Sequence, residues 1–430
     1  MCRVRIKGRV PPPDEIEKTF LTETLLKRGY RLACRVRQNK NIVVVIPETI
    51  GKARKSKNLG FALDIGTTVI KGAAVNLING KILKTEKIYN PQQSMGGDVI
   101  TRIGCVLDGK YKLLKNLLHS GIDRLQTALA LEHPKFTTVV GNPVMLSFYL
   151  NKKVEGFARY PFQGEISRGV FTRNPARFIF GCIGGFIGGD TIAGIIASKI
   201  LSNKKPGLYI DLGTNGEIAL ISDKKIYTVS TAAGPAFEGV GLTCGSLAQP
   251  GAIERVEYDD KFKIYTIDNK SPLGFCASGF IDLLATLLKL GWLDEYGKLK
   301  NKFQVADFHI EQMDIRILQL AIGAIHTGVK FLLDKTNLKP AKISEAVITG
   351  EFGAHLNSES LKQIGIIPQD IKKVRFENDL PLRGAISVLL NETNPGDAEK
   401  VRKMSVHFEL AVQHDFQKRF VEGLFLKPWN

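Results

Sequence analysis

The chain has 430 residues, of which 44% are hydrophobic and 24% charged, a composition typical of a globular protein with two or three domains. No apolar run approaches the roughly 20 residues that cross a bilayer, and the N-terminus lacks a signal-peptide pattern, so we expect a cytoplasmic protein with no membrane contact. The formal charge of +18 comes from dispersed lysines without a nucleic-acid-binding motif; we expect no nucleic-acid partner, and leave open an acidic protein partner or a merely solvated basic surface.

Residues 1–50 have the pattern of a small α+β unit. Strands are predicted at 3–6 and 42–46, and a helix at 22–28 that ends at Gly29. The stretch 51–58 is rich in charge and poor in apolar residues, which is typical of a linker. We therefore predict one small domain at 1–50, a linker at 51–58 and a larger region from residue 59 onward.

From residue 59 the predicted elements occur twice in the same order. The first set has strands at 60–64, 69–77 and 81–87, helices at 97–105 and 111–131, a strand at 136–140, and a helix that begins near Asp190. The second set has strands from Leu208 and Lys225, an irregular insertion to about Gly274, helices at 279–290 and 315–335, and a strand at 346–348. This repeat predicts an α/β fold with two lobes, 59–207 and 208–430, and a ligand cleft between them.

One short motif ends the first strand of each lobe. It consists of an acid and a polar glycine turn: Asp64 with Gly66, Thr67 and Thr68, and Asp211 with Gly213, Thr214 and Asn215. The glycine lets backbone N–H groups approach a phosphate, the hydroxyls add hydrogen-bond donors, and the carboxylate can hold hydrated Mg²⁺. A single copy is also an ordinary strand-turn-strand. Its recurrence predicts two facing hairpins that grip one nucleotide from both sides.

Two further segments offer acids to such a cleft. Asp190 follows a glycine-rich segment and stands in the first turn of a helix, where it could orient an attacking water or hold Mg²⁺. An ordinary N-cap explains the same residue. Gly234 begins a run of small residues that lets the backbone pass close to a ligand and that brings Glu238 toward the cleft, and a plain loop is the alternative.

A glycine turn follows the last predicted strand. Gly350, Phe352 and Gly353 leave room for an adenine ring and offer backbone groups to its sugar, or they form only a tight turn into the helix near Ser358. The segment 276–282 has the pattern of a helix N-terminus. Its backbone N–H groups either bind a phosphate or are only satisfied by helix capping. The histidines are isolated and no Cys-x-x-Cys is present, so we expect no zinc site.

The two hairpins and the glycine turn resemble the phosphate and adenosine motifs of the actin, Hsp70 and sugar-kinase ATPase superfamily. More specifically, residues 59–392 resemble ATP-dependent reductive activators of corrinoid proteins, through the segments 90–92, 97–103, 141–145, 213–217 and 234–239. The resemblance implies duplicated ribonuclease-H-like lobes, ATP and Mg²⁺ as cofactors, and ATP-driven reduction of a corrinoid protein of a methyltransferase system from Co(II) to Co(I). Asp64, Asp190 and Asp211 are then the candidate catalytic residues. An electron donor is also implied, and a homodimer is one option for the oligomeric state.

The family usually carries an N-terminal plant-type ferredoxin, whose 2Fe–2S cluster is held by four cysteines. Residues 1–50 resemble the end of such a domain, with Cys2 and Cys34 in the places of the third and fourth ligands. Two thiolates cannot fill four positions, so we expect that this chain does not hold the cluster. A truncated or misplaced start is the favoured explanation, and ligands from another chain or a decayed domain are the alternatives.

Other functions compete with this interpretation. A non-redox ATPase or small-molecule kinase of the same superfamily would bind a small substrate in the cleft and need no protein partner. A binding module would retain nucleotide as a structural ligand and show no partner-stimulated turnover. Two departures from the family pattern, Glu351 and Glu377, place negative charge where a neutral residue is usual, and this lowers the nucleotide affinity that we expect.

Overall fold

The structure of the protein is a computed structural model that describes residues 3–7, 11–14, 17, 26, 29–32, 43–45, 58–301, 303–350 and 356–429. The chain divides into two compact units, Met1–Arg54 and Lys55–Asn430. In the first unit, three strands form an antiparallel sheet in the order β2-β1-β3: β1 Arg3–Lys7, β2 Tyr30–Leu32 and β3 Val43–Val45. β1 and β3 match the predicted strands, and β2 has no counterpart in the prediction. The predicted helix and linker lie largely outside the described residues.

The second unit begins with a six-stranded mixed sheet in the order β6-β5-β4-β7-β9-β8. Its strands are β4 Leu59–Ile65, β5 Val69–Asn76, β6 Ile82–Tyr89, β7 Phe136–Gly141, β8 Val170–Arg173 and β9 Ala176–Ile179. The helices of this half are α1 Val99–Leu107, α2 Tyr111–Ala128, α3 Pro143–Tyr149 and α4 Gly189–Ala197. β4, β5 and β6 correspond to the three predicted strands and form an antiparallel meander, and β7 runs parallel to β4.

The second half repeats this topology in a sheet of order β19-β18-β10-β11-β12-β20. Its strands are β10 Gly207–Leu212, β11 Gly216–Ser222, β12 Lys225–Thr231, β18 Glu345–Gly350, β19 Val374–Phe376 and β20 Ser405–His407. β10 to β12 form a meander, β18 runs parallel to β10, and β19 runs parallel to β18. The first sheet has the same arrangement in β4 to β7 and β9, so the predicted duplication is confirmed. The exact boundary between the lobes at 207/208 stays a prediction.

The insertion predicted as irregular contains a regular hairpin, so that prediction was wrong. The remaining strands are β13 Ala252–Asp259, β14 Lys261–Thr266, β15 Gly274–Phe275, β16 Phe303–Val305 and β17 Phe308–Ile310. In β14, exposed and half-buried residues alternate, which is the pattern of a strand with one face toward the core. Asp260 makes the turn with a φ of 60°, in the left-handed region that Asp tolerates better than most residues.

Six further α-helices lie in the described part of the second half. They are α5 Ala277–Lys289, α6 Gln312–Thr336, α7 Ser358–Gln363, α8 Leu380–Leu389, α9 Pro395–Met404 and α10 Phe416–Gly423. Among the described residues, α6 is the one helix with the length and apolar composition of a membrane span. It is largely buried in the fold and packs against β11, β12 and α10. α6 is therefore a central part of the core of this half.

Two helices fill the space between the sheets. α4 and α8 pack closely against each other, because Gly384 brings its backbone so near that a Cβ there would lie 2.2 Å from the carbonyl oxygen of Ala193. α8 also packs on β4 and β7 of the first sheet, where the Thr138 hydroxyl donates to the carbonyl of Ala385 at 2.8 Å. α4 reaches the second sheet at Gly194, since a Cβ there would lie 2.0 Å from the Tyr209 hydroxyl oxygen. This shared core holds the ends of β4 and β10 opposite each other.

Candidate functional site

The two Asp-x-Gly-Thr hairpins meet at a cleft between the lobes. The hydroxyl oxygens of Thr68 and Thr214 lie 2.8 Å apart and share a hydrogen bond. The cleft has a volume of about 120 Å³ and is open to solvent on one side. The predicted site residues that line it are Asp64, Gly66, Thr67, Thr68, Asp190, Asp211, Gly213, Thr214, Asn215 and Gly350. The structure thus brings together both hairpins, Asp190 in the first turn of α4, and Gly350 at the end of β18.

The first hairpin requires a glycine at its turn. A Cβ at position 66 would lie 2.4 Å from the carbonyl oxygen of Val69, a distance that no side chain can take without moving the backbone. The side-chain amide of Asn90 stabilises this turn by donating to the carbonyl of Gly66 at 3.0 Å. Asn142 donates to the hydroxyl of Thr67 at 3.0 Å. These contacts fix the turn in the shape that presents its backbone to the cleft.

Arg102 supports the same turn from a fully buried position. Its guanidinium donates to the carbonyl of Thr67 at 2.8 Å, to that of Gly96 at 2.9 Å and to the side chain of Gln92 at 3.1 Å. Burial lowers the pKa of Arg102 to about 10, and the charge of Asp98 opposes this shift. Asn90, Arg102 and Asn142, one from each of the segments 90–92, 97–103 and 141–145 that carry the family resemblance, therefore support the turn of the first hairpin.

Carboxylates converge on the cleft from both lobes. Burial raises the pKa of Asp64 well above its ordinary value; Lys71 opposes the shift, and the charges of Asp190, Asp211 and Asp379 add to it. Lys71 lies opposite Asp64 in the β4–β5 register and pairs with Asp379 at 2.6 Å. Among the described residues that line the cleft, Lys71 is the only cation. So much negative charge in a buried place favours the binding of a further cation.

Glu217 joins this group from the second hairpin, where it lies opposite Asp211 in the β10–β11 register. Burial raises its pKa well above the ordinary value, and the charges of Asp190 and Asp211 add to the shift. Thr214 donates to Glu238 at 2.8 Å, and Glu238 also lines the cleft. Neither Glu217 nor Lys71 was among the predicted site residues. The hairpin registers could have indicated both, since each faces a predicted aspartate across its hairpin.

Asp190 lies one residue into α4 and is not the residue that caps it. The N-cap is Gly188, while a carboxylate oxygen of Asp190 accepts from the N–H of Thr191 at 2.7 Å. Burial raises the pKa of Asp190 to about 6, and hydrogen bonds from backbone N–H groups oppose the shift. A Cβ at Gly188 would lie 2.2 Å from the carbonyl oxygen of Gly141, so the glycine permits the close approach that aims Asp190 into the cleft.

The donor set fits a magnesium-bound phosphate group better than a bare metal site. In the part of the chain that the structure describes, no three His, Cys, Asp or Glu side chains are grouped so that they could hold a metal ion by themselves. Mg²⁺ usually keeps several waters and takes only one or two carboxylates together with substrate phosphates. Asp64 and Asp211 could serve as these carboxylates, with the turns of the two hairpins around the phosphates.

Only some of the remaining predicted residues lie at the cleft. Gly350 ends β18 at the cleft with a φ of 144°, and Phe352 and Gly353 lie outside the described residues. Gly234 has a φ of 72° with open space around it, and it is not among the residues that line the cleft. The helix start at Cys276 is buried against β13, where its thiol donates to the carbonyl of Ile253, so it lies away from the cleft.

The charge of Glu377 is compensated in the structure. It forms ion pairs with Arg375 and, at 2.7 Å, with Arg383. Glu377 is not among the residues that line the cleft. The effect that we expected of this residue on nucleotide affinity is therefore weakened by its partners. Glu351 lies outside the described residues.

The four cysteines that the structure describes are not grouped as iron–sulfur ligands. Cys2 and Cys34 lie outside the described residues. The other four, Cys105, Cys182, Cys244 and Cys276, have free thiols within the larger unit. Burial raises the pKa of Cys182 above its ordinary range and that of Cys244 to about 12, as is usual for thiols packed in an apolar core. The four thiolates of a 2Fe–2S site are therefore not found among these residues.

Two lobes of repeated topology, with facing Asp-Gly hairpins and converging carboxylates, define an actin-like protein with the ASKHA fold of nucleotide-binding proteins. The chain belongs to the RACo family: the model described as the RACo middle region matches residues 59–203, and that described as the C-terminal domain of RACo, the ASKHA domain, matches residues 205–430. The family that the sequence motifs resemble is thereby confirmed.

Two curated proteins are similar over most of their length. The corrinoid activation enzyme RamQ of Eubacterium limosum is 29% identical over 98% of this chain and 79% of its own length. The [Co(II) methylated amine-specific corrinoid protein] reductase of Methanosarcina barkeri is 26% identical over 84% of this chain and 76% of its own. A solved structure, a reductive activator for corrinoid, iron-sulfur protein, has a TM-score of 0.79 and 24% identity, and covers 99% of this chain and 92% of that chain. It confirms the fold.

Proposed function

We propose that the protein is an ATPase that reactivates a corrinoid protein by driving the reduction of its cobalt from Co(II) to Co(I). The observation that carries this proposal is the pairing of the RACo family match over both lobes with a cleft that has the chemistry of a nucleotide site. The names of the two similar proteins support a corrinoid protein as the partner. Family membership with these relatives favours this reading over a small-molecule kinase.

The two hairpins would bind the phosphates of ATP. Backbone N–H groups would come from two turns, one at Gly66 in the first hairpin and one at Gly213 in the second. The hydroxyls of Thr67, Thr68 and Thr214 line the same space. Asp64 and Asp211 would hold hydrated Mg²⁺, which when bound neutralises charge on the phosphates.

Asp190 would orient the water that attacks the γ-phosphorus. A carboxylate whose pKa is about 6 accepts a proton near neutral pH more readily than an exposed aspartate does. As the water oxygen bonds to phosphorus, the bond to the ADP oxygen breaks, and ADP and phosphate result. Charge and positioning, rather than covalent chemistry by the protein, supply the catalysis.

ATP would act on the cobalt through differential affinity. Reduction of Co(II) to Co(I) consumes one electron from a low-potential donor, and hydrolysis can favour it only if the conformations with and without nucleotide bind the corrinoid partner differently. The lobes provide such conformations, since the nucleotide would contact both hairpins. No step is assigned to a 2Fe–2S cluster, because only Cys2 and Cys34 lie in the segment that resembles its ferredoxin domain.

An anaerobic assay tests the proposal. The purified chain is mixed with a Co(II) corrinoid protein and Ti(III) citrate, and the Co(II) and Co(I) absorption bands are followed with ATP, ADP or a non-hydrolysable analogue. We expect Co(I) to accumulate only with ATP and the chain together, and ATP turnover to rise when the corrinoid protein is added. Phosphate transfer to a sugar or an acid, with no response to corrinoid proteins, would instead identify a small-molecule kinase.

A further inference from the structure

A second concavity crosses the lobe boundary beside the nucleotide cleft. Its volume is about 410 Å³, and its walls are mainly apolar. We call it the interlobe groove and define it by six side chains from both halves of the unit: Ile100, Phe162, Phe186, Leu410, Phe416 and Phe420. Its size and aromatic lining suit an apolar segment of another molecule rather than a solvent-filled gap.

Exposed apolar side chains lie in the groove wall and in the chain segments that supply it. Ile100 on α1 is 59% exposed, and Val421 on α10, the helix that carries Phe416 and Phe420, is 56% exposed. Val412, two residues beyond Leu410, is 49% exposed. Apolar surface gathered around a concavity usually marks an interaction site, because water solvates it poorly.

The groove is physically connected to the nucleotide cleft at two points. Asn215, in the turn of the second phosphate hairpin, lines both concavities. Phe186, whose ring lies 5.9 Å from that of Phe162, belongs to the glycine-rich segment that leads into Asp190. An occupant of the groove would therefore touch the element that positions Asp190 and the hairpin that faces the phosphates.

Charge indicates the kind of partner. Among the described residues that line the groove, Glu409 is the only charged one, and it lies 3.6 Å from His407. The walls thus accept uncharged side chains. The chain as a whole has a formal charge of +18, which attracts an acidic protein and speeds its association.

We propose that the interlobe groove is the docking site of the corrinoid protein, which inserts an apolar segment from an acidic surface. This inference rests on the proposed function and adds to it the surface that couples the partner to ATP. Filling the groove fixes Phe186 and Asn215, and through them Asp190 and the second hairpin, so ATP turnover responds to the partner.

The test compares matched surface changes. Ile100→Asp puts a charge on the groove rim, and Ala232→Trp fills the groove from an exposed position in its wall. Ile78→Asp is the control, since Ile78 is 76% exposed at the turn between β5 and β6. The probe is the corrinoid protein that the wild-type chain reduces. Affinity is measured by calorimetry at two salt concentrations, and ATP turnover with and without the probe.

We expect both groove variants to bind the corrinoid protein at least tenfold more weakly and to lose its stimulation. Basal ATP turnover should be unchanged in Ile100→Asp, and Ile78→Asp should behave as wild type. Wild-type affinity should fall as salt rises. If both groove variants bind as the wild type does, the docking inference is wrong and the proposed function stands. A wild-type chain that responds to no corrinoid protein refutes the proposed function itself. A wild-type dimer that Ile100→Asp dissociates would make a second copy the occupant and overturn the inference.

Discussion

Replacing Asp190 with Asn should stabilise the nucleotide-free protein while it stops ATP turnover. Burial raises the pKa of Asp190 to about 6 from an ordinary 3.8, so the ionised carboxylate is less stable in the folded chain than in the unfolded one. At ~1.36 kcal/mol per pKa unit this difference corresponds to about 3 kcal/mol at pH 7.5. Asparagine has a similar shape and no charge, and so avoids this cost.

The sign of the effect sets its pH dependence. A raised native pKa contributes stability that is fully present below the unfolded pKa of 3.8 and is lost as the pH rises through about 6. The advantage of the Asn variant should therefore be largest above pH 6 and shrink to a small fraction of its full size at pH 4. For a unit of this size, 3 kcal/mol corresponds to a Tm increase of roughly 4 °C.

Thermal unfolding is measured without nucleotide and with EDTA, from pH 4 to pH 7.5, and ATP turnover is measured with Mg²⁺ at pH 7.5. Asp370→Asn is the control, because Asp370 is exposed on the same unit. We expect the control to match wild type in both assays. An Asp190→Asn protein that is no more stable than wild type at pH 7.5, or whose gain persists at pH 4, would refute the argument from burial and charge.

Three other predictions follow from the same residues. Asp211→Ala should lower ATP turnover by roughly 10² to 10³ with unchanged circular dichroism, and normal turnover would remove Asp211 from the phosphate site. Gly185→Ala should lower the free energy of unfolding in urea more than Gly109→Ala does. Both glycines have positive φ, but a Cβ at position 185 would lie 2.4 Å from His407, whereas one at position 109 meets nothing within 4 Å. Equal losses of stability would contradict this contact. The 430-residue polypeptide should show no 2Fe–2S absorption after anaerobic reconstitution, and a cluster that Cys34→Ser abolishes would show that this expectation is wrong.

The sequence by itself determined the features that depend only on residues close together in the chain. The Asp-Gly-Thr turns after Asp64 and Asp211 were visible because a tight turn that approaches a phosphate needs glycine and hydroxyls in a fixed order. The repeated order of strands and helices indicated two lobes, since periodicity follows from the faces that each element buries. Short elements such as β2, and the β13–β14 hairpin, were missed because their patterns are brief or interrupted.

Only the tertiary structure decided which side chains share the cleft. Asp379 is separated from Lys71 by 308 positions, yet the two pair at 2.6 Å because α8 of the second half packs on the first sheet. Asn142 and Arg102 support a turn that is distant in sequence. The interlobe groove likewise has no local signal, because its walls come from both halves. Local sequence selects turns and strands through backbone geometry, whereas packing between distant segments places their side chains, and no short motif encodes that placement.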